Sequence, residues 1–146
     1  MAFCERLSEQ LAVVGTIDPI SQGAALISTD VVDMSLHRRC LFTLLTGATV
    51  GAGGILVEIQ EGTVAVPNSA VILTSLAAAV ATVASQYIWE VSAEAMADTY
   101  TVLRGDFTPA AAGPTLMAVL VQADVERYHP GSDRNLATTT ISGVAN

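Results

Sequence analysis

Apolar and polar residues alternate with period two along several stretches of this 146-residue chain, most clearly between Gln86 and Phe107. Tyr87, Trp89 and Val91 alternate with Ile88, Glu90 and Ser92, and farther on Tyr100, Val102 and Arg104 alternate with Thr101 and Leu103. A side-chain repeat of two marks a strand. The intervening AEAMAD predicts a single helical turn over Ala93 to Asp98, with Ser92 as N-cap and Glu94 early in the turn. Two of the three Tyr and the only Trp fall in this stretch. It reads as a hairpin-like unit, with Leu116 to Val121 as its partner, on which the core is built.

The same pattern extends to other segments. From His37 to Thr46, Cys40, Phe42 and Leu44 share one face, and Leu41, Thr43 and Leu45 the other. Both faces are largely apolar, which suits a strand inside a sandwich or at an interface. TGATVGAGG follows as a turn into Ile55 to Glu61, so these two strands also read as a hairpin. GAGG is not a phosphate loop, because its glycines open a β-branched alternating strand rather than a helix. Ala24 to Ser35 predicts one or two short strands, Leu116 to Ala123 the last clear one, and Asn68 to Ser85 a strand with a long connection, although its Ala-rich run also suits a helix. Residues 1–23 lack sustained alternation and read as an N-terminal arm, extended or with one short helix that puts Cys4, Leu7, Leu11 and Val14 on one face. Residues 24–128 then form an all-β domain, an antiparallel β-sandwich or jelly-roll-like barrel, and residues 129–146 a polar C-terminal tail.

Composition narrows the function more than it defines one. The chain is 51% hydrophobic but only 5% aromatic, so its core is finely divided among Ala, Val, Leu and Ile. Fourteen acidic residues face six Arg and no Lys, for a formal charge of −8. The missing Lys removes Schiff-base and P-loop chemistry. The acidity argues against nucleic acid as a partner. Gly62 to Trp89 carries no charge, but Pro, Asn, Ser, Thr and Gln divide it and no Arg flanks it closely, so no membrane span is expected. Glu5 and Glu9 interrupt any signal-peptide layout, and no export is read. Cys4 and Cys40 form no CxxC; they read as two thiols of a reducing compartment, with a bridge from arm to first core strand left open.

Candidate chemistry is sparse. His37 reads as a solvent-side residue at a strand edge beside Arg38 and Arg39, and His129 as part of a YHPG turn with Tyr128. Glu58 with Glu61, Glu90 with Glu94, and Asp30 with Asp33 read as solvated acids. The histidine and carboxylate spacings match no metal site, and no nucleophile elbow occurs. The expectation is no catalytic residue, no cofactor and no metal. Arg38, Arg39 and Arg104 are better suited to carboxylate contacts, on a partner or within the chain.

The MAFCERLSEQ opening, LFTLLTGATVGAGGILVEIQE, ILTSL, YIWEVSAEAMADTYTVLRGDFTP and LMAVLVQADVERYHPG together resemble small structural proteins of tailed-phage virions encoded among the head genes. The chain departs from that pattern at AAAVATVAS, where a charged or polar insert is expected. The resemblance implies a non-enzymatic decoration or cement protein, often a homotrimer, made in the host cytoplasm and placed on the capsid exterior, with the major capsid protein as partner. It carries over no functional residues. The alternatives are another virion component (head completion, tail or fibre base) and a carbohydrate-binding β-sandwich.

Overall fold

Nine strands and one short 3-10 turn make up the computed structural model, which describes residues 11–47, 54–77, 84–110 and 115–124. They are β1 (Leu11–Gln22), β2 (Ile27–Ser28), β3 (Val32–Asp33), β4 (Arg39–Thr46), β5 (Ile55–Gly62), β6 (Ala70–Ala77), β7 (Ser85–Ser92), the turn Ala93–Ala95, β8 (Val102–Pro109) and β9 (Thr115–Asp124). One sheet has the order β1-β9-β4-β7 and the other β2-β8-β5-β6, with β3 also beside β8. All pairings are antiparallel. Counting β2 and β3 as one interrupted strand, this is the eight-strand arrangement of a jelly-roll sandwich.

Alternation decides which side chains enter the space between the sheets. Cys40, Phe42 and Leu44 of β4, Met117, Val119, Val121 and Ala123 of β9, and Ile55, Val57 and Ile59 of β5 are all buried, whereas their sequence neighbours face outward. Phe42 from one sheet meets Phe107 from the other over Gly105 of β8: a Cβ at Gly105 would lie 2.9 Å from Cε2 of Phe107 and 3.0 Å from Cδ1 and Cε1 of Phe42. The two rings therefore need a bare backbone beneath them. Trp89 tilts against Phe107 with ring centroids 6.5 Å apart, and Tyr87 stacks on Trp89 at 6.1 Å. Tyr87 and Trp89 are only half-buried against this core, whose fully buried rings are Phe42 and Phe107, and Leu116 to Val121, expected as the partner of their unit, pairs with β1 and β4 instead.

The predicted strands occur, but neither of the two predicted hairpins does. β4 and β5 belong to different sheets, as do β7 and β8. Period two reports which residues face the core and says nothing about which strand accepts the hydrogen bonds. From β4 to β5 and, over residues 93–101, from β7 to β8 the chain passes between sheets packed roughly 10 Å apart instead of pairing within one. Gly54, with φ of 78°, supplies the left-handed residue at the end of the first crossing. The second is held at three points: Ser92 Oγ accepts from the Glu94 amide at 3.2 Å, Glu61 Oε2 accepts from the Ala97 amide at 2.9 Å, and the Thr101 amide donates to the Gly62 carbonyl at 2.9 Å. The capped turn foreseen over Ala93 to Asp98 is shortened to Ala93–Ala95.

Three further expectations change. Leu11–Gln22, assigned to the arm, is a strand of the first sheet, and Ala12, Val14 and Ile17 lie in the core. Gly15 and Pro19, which hid its alternation, lie where the register with β9 shifts, between Val13 and Gly15 and between Ile17 and Ile20. His37 is buried at 3% exposure, since its ring turns inward at the end of β9. Glu61 is buried too, because its carboxylate holds the second crossing. The uncharged run from Gly62 to Trp89 includes β6 and the first part of β7, Ser85 to Trp89. Cys4, residues 78–83, Tyr128, His129 and the 129–146 tail lie outside the described residues.

Adding a methyl group under the two rings should be costly. Gly105→Ala is expected to lower stability by about 1–3 kcal/mol in chemical denaturation. In a Phe42→Leu background the same change should cost at least about 0.5 kcal/mol less, because one ring has been removed. Additive effects would contradict this packing.

Candidate functional site

Three surface regions carry side chains that the fold itself does not consume. The largest is the outer face of the first sheet. Register places Thr16, Leu120, Thr43 and Ile88 in one row across it, Val13, Gln122, Leu41 and Glu90 in a second, and Ala118, Leu45 and Gln86 in a third. Ile88 is 54% exposed, Leu116 54% and Leu45 46%, with Leu41 and Leu120 half-buried between them. Leu45 and Leu116 also line a shallow hollow of about 230 Å³ with Pro19, Gly47 and Ala118. The sequence signalled this face through the two apolar sides of β4. It did not show that Ile88 and Leu116 join them, because that depends on β7, β4 and β9 being neighbours.

The second region is a corner at the end of β9. The Asp124 carboxylate accepts from the backbone amides of Arg38 at 2.8 Å and Arg39 at 3.1 Å, and His37 donates its Nδ1–H to the Asp124 carbonyl. This tautomer follows from the partner, since a carbonyl only accepts. The arginine side chains remain exposed, with Arg39 3.6 Å from Glu90. They border two clefts, one of about 400 Å³ that includes Cys40, Glu90, Gln122 and Asp124, and one of about 370 Å³ that includes Ser92 and Glu94. Guanidinium groups here can meet a carboxylate, but acids are interleaved among them, so the corner has no strong single-sign field.

The third region lies on the outer face of the second sheet. Arg104 Nη2 donates to Asp106 Oδ2 at 2.8 Å and to Gln60 Oε1 at 3.4 Å, with the two charged side chains 18% and 3% exposed. Arg104 thus pairs within the chain, one of the two roles open from the sequence. Asp106 lies opposite Glu58 in the β5–β8 ladder, a neighbour the sequence could not reveal. Asp33 accepts from the amide and hydroxyl of Ser35, and Asp30 from the Thr16 amide, so both acids fasten loops. Among the described residues no group of three His, Cys, Asp or Glu could hold a metal ion.

No family of known proteins matches the chain, and no curated relative is found. Among solved structures it is similar to a chain described under "Bacillus endospore appendages form a novel family of disulfide-linked pili", with a TM-score of 0.41 and 11% identity over 86% of this chain and 98% of that one. At that level of likeness nothing is carried over to this chain.

The two ion pairs should behave in opposite ways. Asp106→Ala leaves Arg104 short of its partner in a largely buried setting and is expected to cost about 3–5 kcal/mol. Arg39→Ala breaks an exposed pair and should change stability by less than about 1 kcal/mol. Equal effects in urea denaturation would contradict the burial assigned to each pair.

Proposed function

We propose that this chain is a non-enzymatic tailed-phage virion protein that decorates the outside of the head and stabilises the lattice of the major capsid protein. The observation that carries the reading is the outer face of the first sheet, where Leu45, Ile88 and Leu116 stand in water on a chain of net charge −8. An apolar patch of that kind is characteristic of a surface that gets covered. The resemblance to phage head proteins supplies the lattice as the partner. A face that a lattice covers at every repeat binds the assembled shell in preference to free subunits. Such binding stabilises the shell by mass action, and several contacts per oligomer add through avidity.

A carbohydrate-binding sandwich is less well supported. It needs aromatic rings on an outward, open face, whereas the half-buried Tyr87 and Trp89 rings lie on the core side of β7 with Val91.

The test is co-sedimentation with purified particles stripped of the protein. Leu45→Glu combined with Leu116→Glu puts two charges into the hollow and should weaken binding roughly ten-fold or more, given about 1.5–3 kcal/mol for each buried Leu. Both side chains are exposed, so the thermal midpoint should stay close to that of the parent. Undiminished binding by a folded double variant would contradict the assignment of this face.

A further inference from the structure

The four edges of the sandwich are not equally protected. β1 carries two register shifts, Asp18 and Pro19, all of which obstruct the pairing of another strand. On the same side, β2 and β3 are two-residue fragments separated by a gap. Thr29 in that gap spends its amide and hydroxyl on Gly105 of β8. β6 and β7, on the other side, run eight residues each, without proline, and among the described residues each pairs with one neighbour only; β6 has a register shift at Ile72, and β7 has none. β7 carries a single charge, Glu90. It also carries Ile88, which is exposed, and the Tyr87–Trp89 stack, which packs on the core but is only half-buried. Aromatic rings left partly open on an edge strand that has one neighbour among the described residues suit an interface.

We infer that β7 is the contact between two copies of this chain, paired antiparallel across a two-fold axis at Ile88. Faces must match across a ladder, so outward residues oppose outward residues and registers displaced by one residue are excluded. A register centred on Glu90 would oppose two glutamates. Centred on Ile88, the pairing sets Ile88 against its own copy, Tyr87 against Trp89, and Glu90 against Gln86, whose side-chain amide donates to a carboxylate. Two chains of charge −8 can meet here because the strand brings one glutamate from each copy and places them on either side of the axis. The first sheet becomes one eight-strand sheet, and the apolar outer faces of the two copies become continuous. The contact is isologous and closes at two, in place of the trimer implied by the resemblance. It does not depend on the phage reading, since free protein in solution suffices to test it.

Sedimentation equilibrium of the full chain, read alongside the emission of Trp89, is the experiment. A monomer–dimer equilibrium is expected, with Trp89 emission shifting to the blue as dimer forms. Gln86→Glu opposes like charges at two symmetry-related positions and should weaken the dimer roughly 2- to 30-fold, whereas Gln86→Lys should tighten it. Gln86→Glu with Glu90→Gln should return it towards the parent value. Residues 86 and 90 are exposed, so circular dichroism should show all variants folded. A monomer at all concentrations, a trimer, or a dimer indifferent to these substitutions would overturn the inference. Loss of shell binding with the dimer intact would instead count against the proposed function alone.

Discussion

The ring of Phe42 rests on the backbone of Gly105, and the sandwich depends on that approach between its sheets. Gly105 can lie so close because it has no Cβ, and the strand that bears it is fastened on both sides. Its amide donates to the Thr29 hydroxyl, its carbonyl accepts from the Thr29 amide, and β5 pairs along the other edge. From this point the core extends outward through Phe107 to Trp89 and Tyr87, and through Leu44 and Ile59 to the aliphatic interior. A chain with 5% aromatic content has few large rings to spend, and it places two Phe and its only Trp at one junction.

With the interior filled from both sheets, what remains outside is unequal. The second sheet's outer face carries the tied Arg104, Asp106 and Gln60, with Asp106 hidden from solvent, beside exposed Leu56 and Val71. The first sheet's outer face is apolar and open. One side of the sandwich is interrupted by bulges, a proline and a broken strand, while the other ends in β6, with one register shift at Ile72, and in the regular β7. Among the described residues the polar interactions fasten loops and crossings, and exposed apolar side chains stand on the outer face of the first sheet.

Much of this was legible in the sequence, and the failures have a common cause. Period two locates β4, β5, β7 and β9 and sorts their residues onto two faces, because side chains alternate with the pleat whatever the neighbour is; for β4 and β9, apolar on both faces, it does not tell the inward face from the outward one. The same signal could not tell a hairpin from a crossing, so the β4–β5 and β7–β8 pairs were joined within one sheet when they span two. Gly15 and Pro19 hid β1, since a bulged strand loses its alternation where the extra residue enters. Charge and strand-end position suggest solvated side chains at His37 and Glu61, yet both are buried. Each is drawn in by one backbone group, the Asp124 carbonyl and the Ala97 amide, that is distant in sequence. The candidate surface was half visible: Leu41 and Leu45 marked β4 as two-faced, but only strand order brings Ile88 and Leu116 beside them.

The central claim is that the protein acts by covering a repeating surface, and stoichiometry addresses it most directly. Quantitative mass spectrometry of purified particles gives the copy number of this chain relative to the major capsid protein. A ratio near one per capsid subunit, or a simple fraction of it, is the predicted result. A handful of copies per particle, or none, would contradict a lattice-covering role.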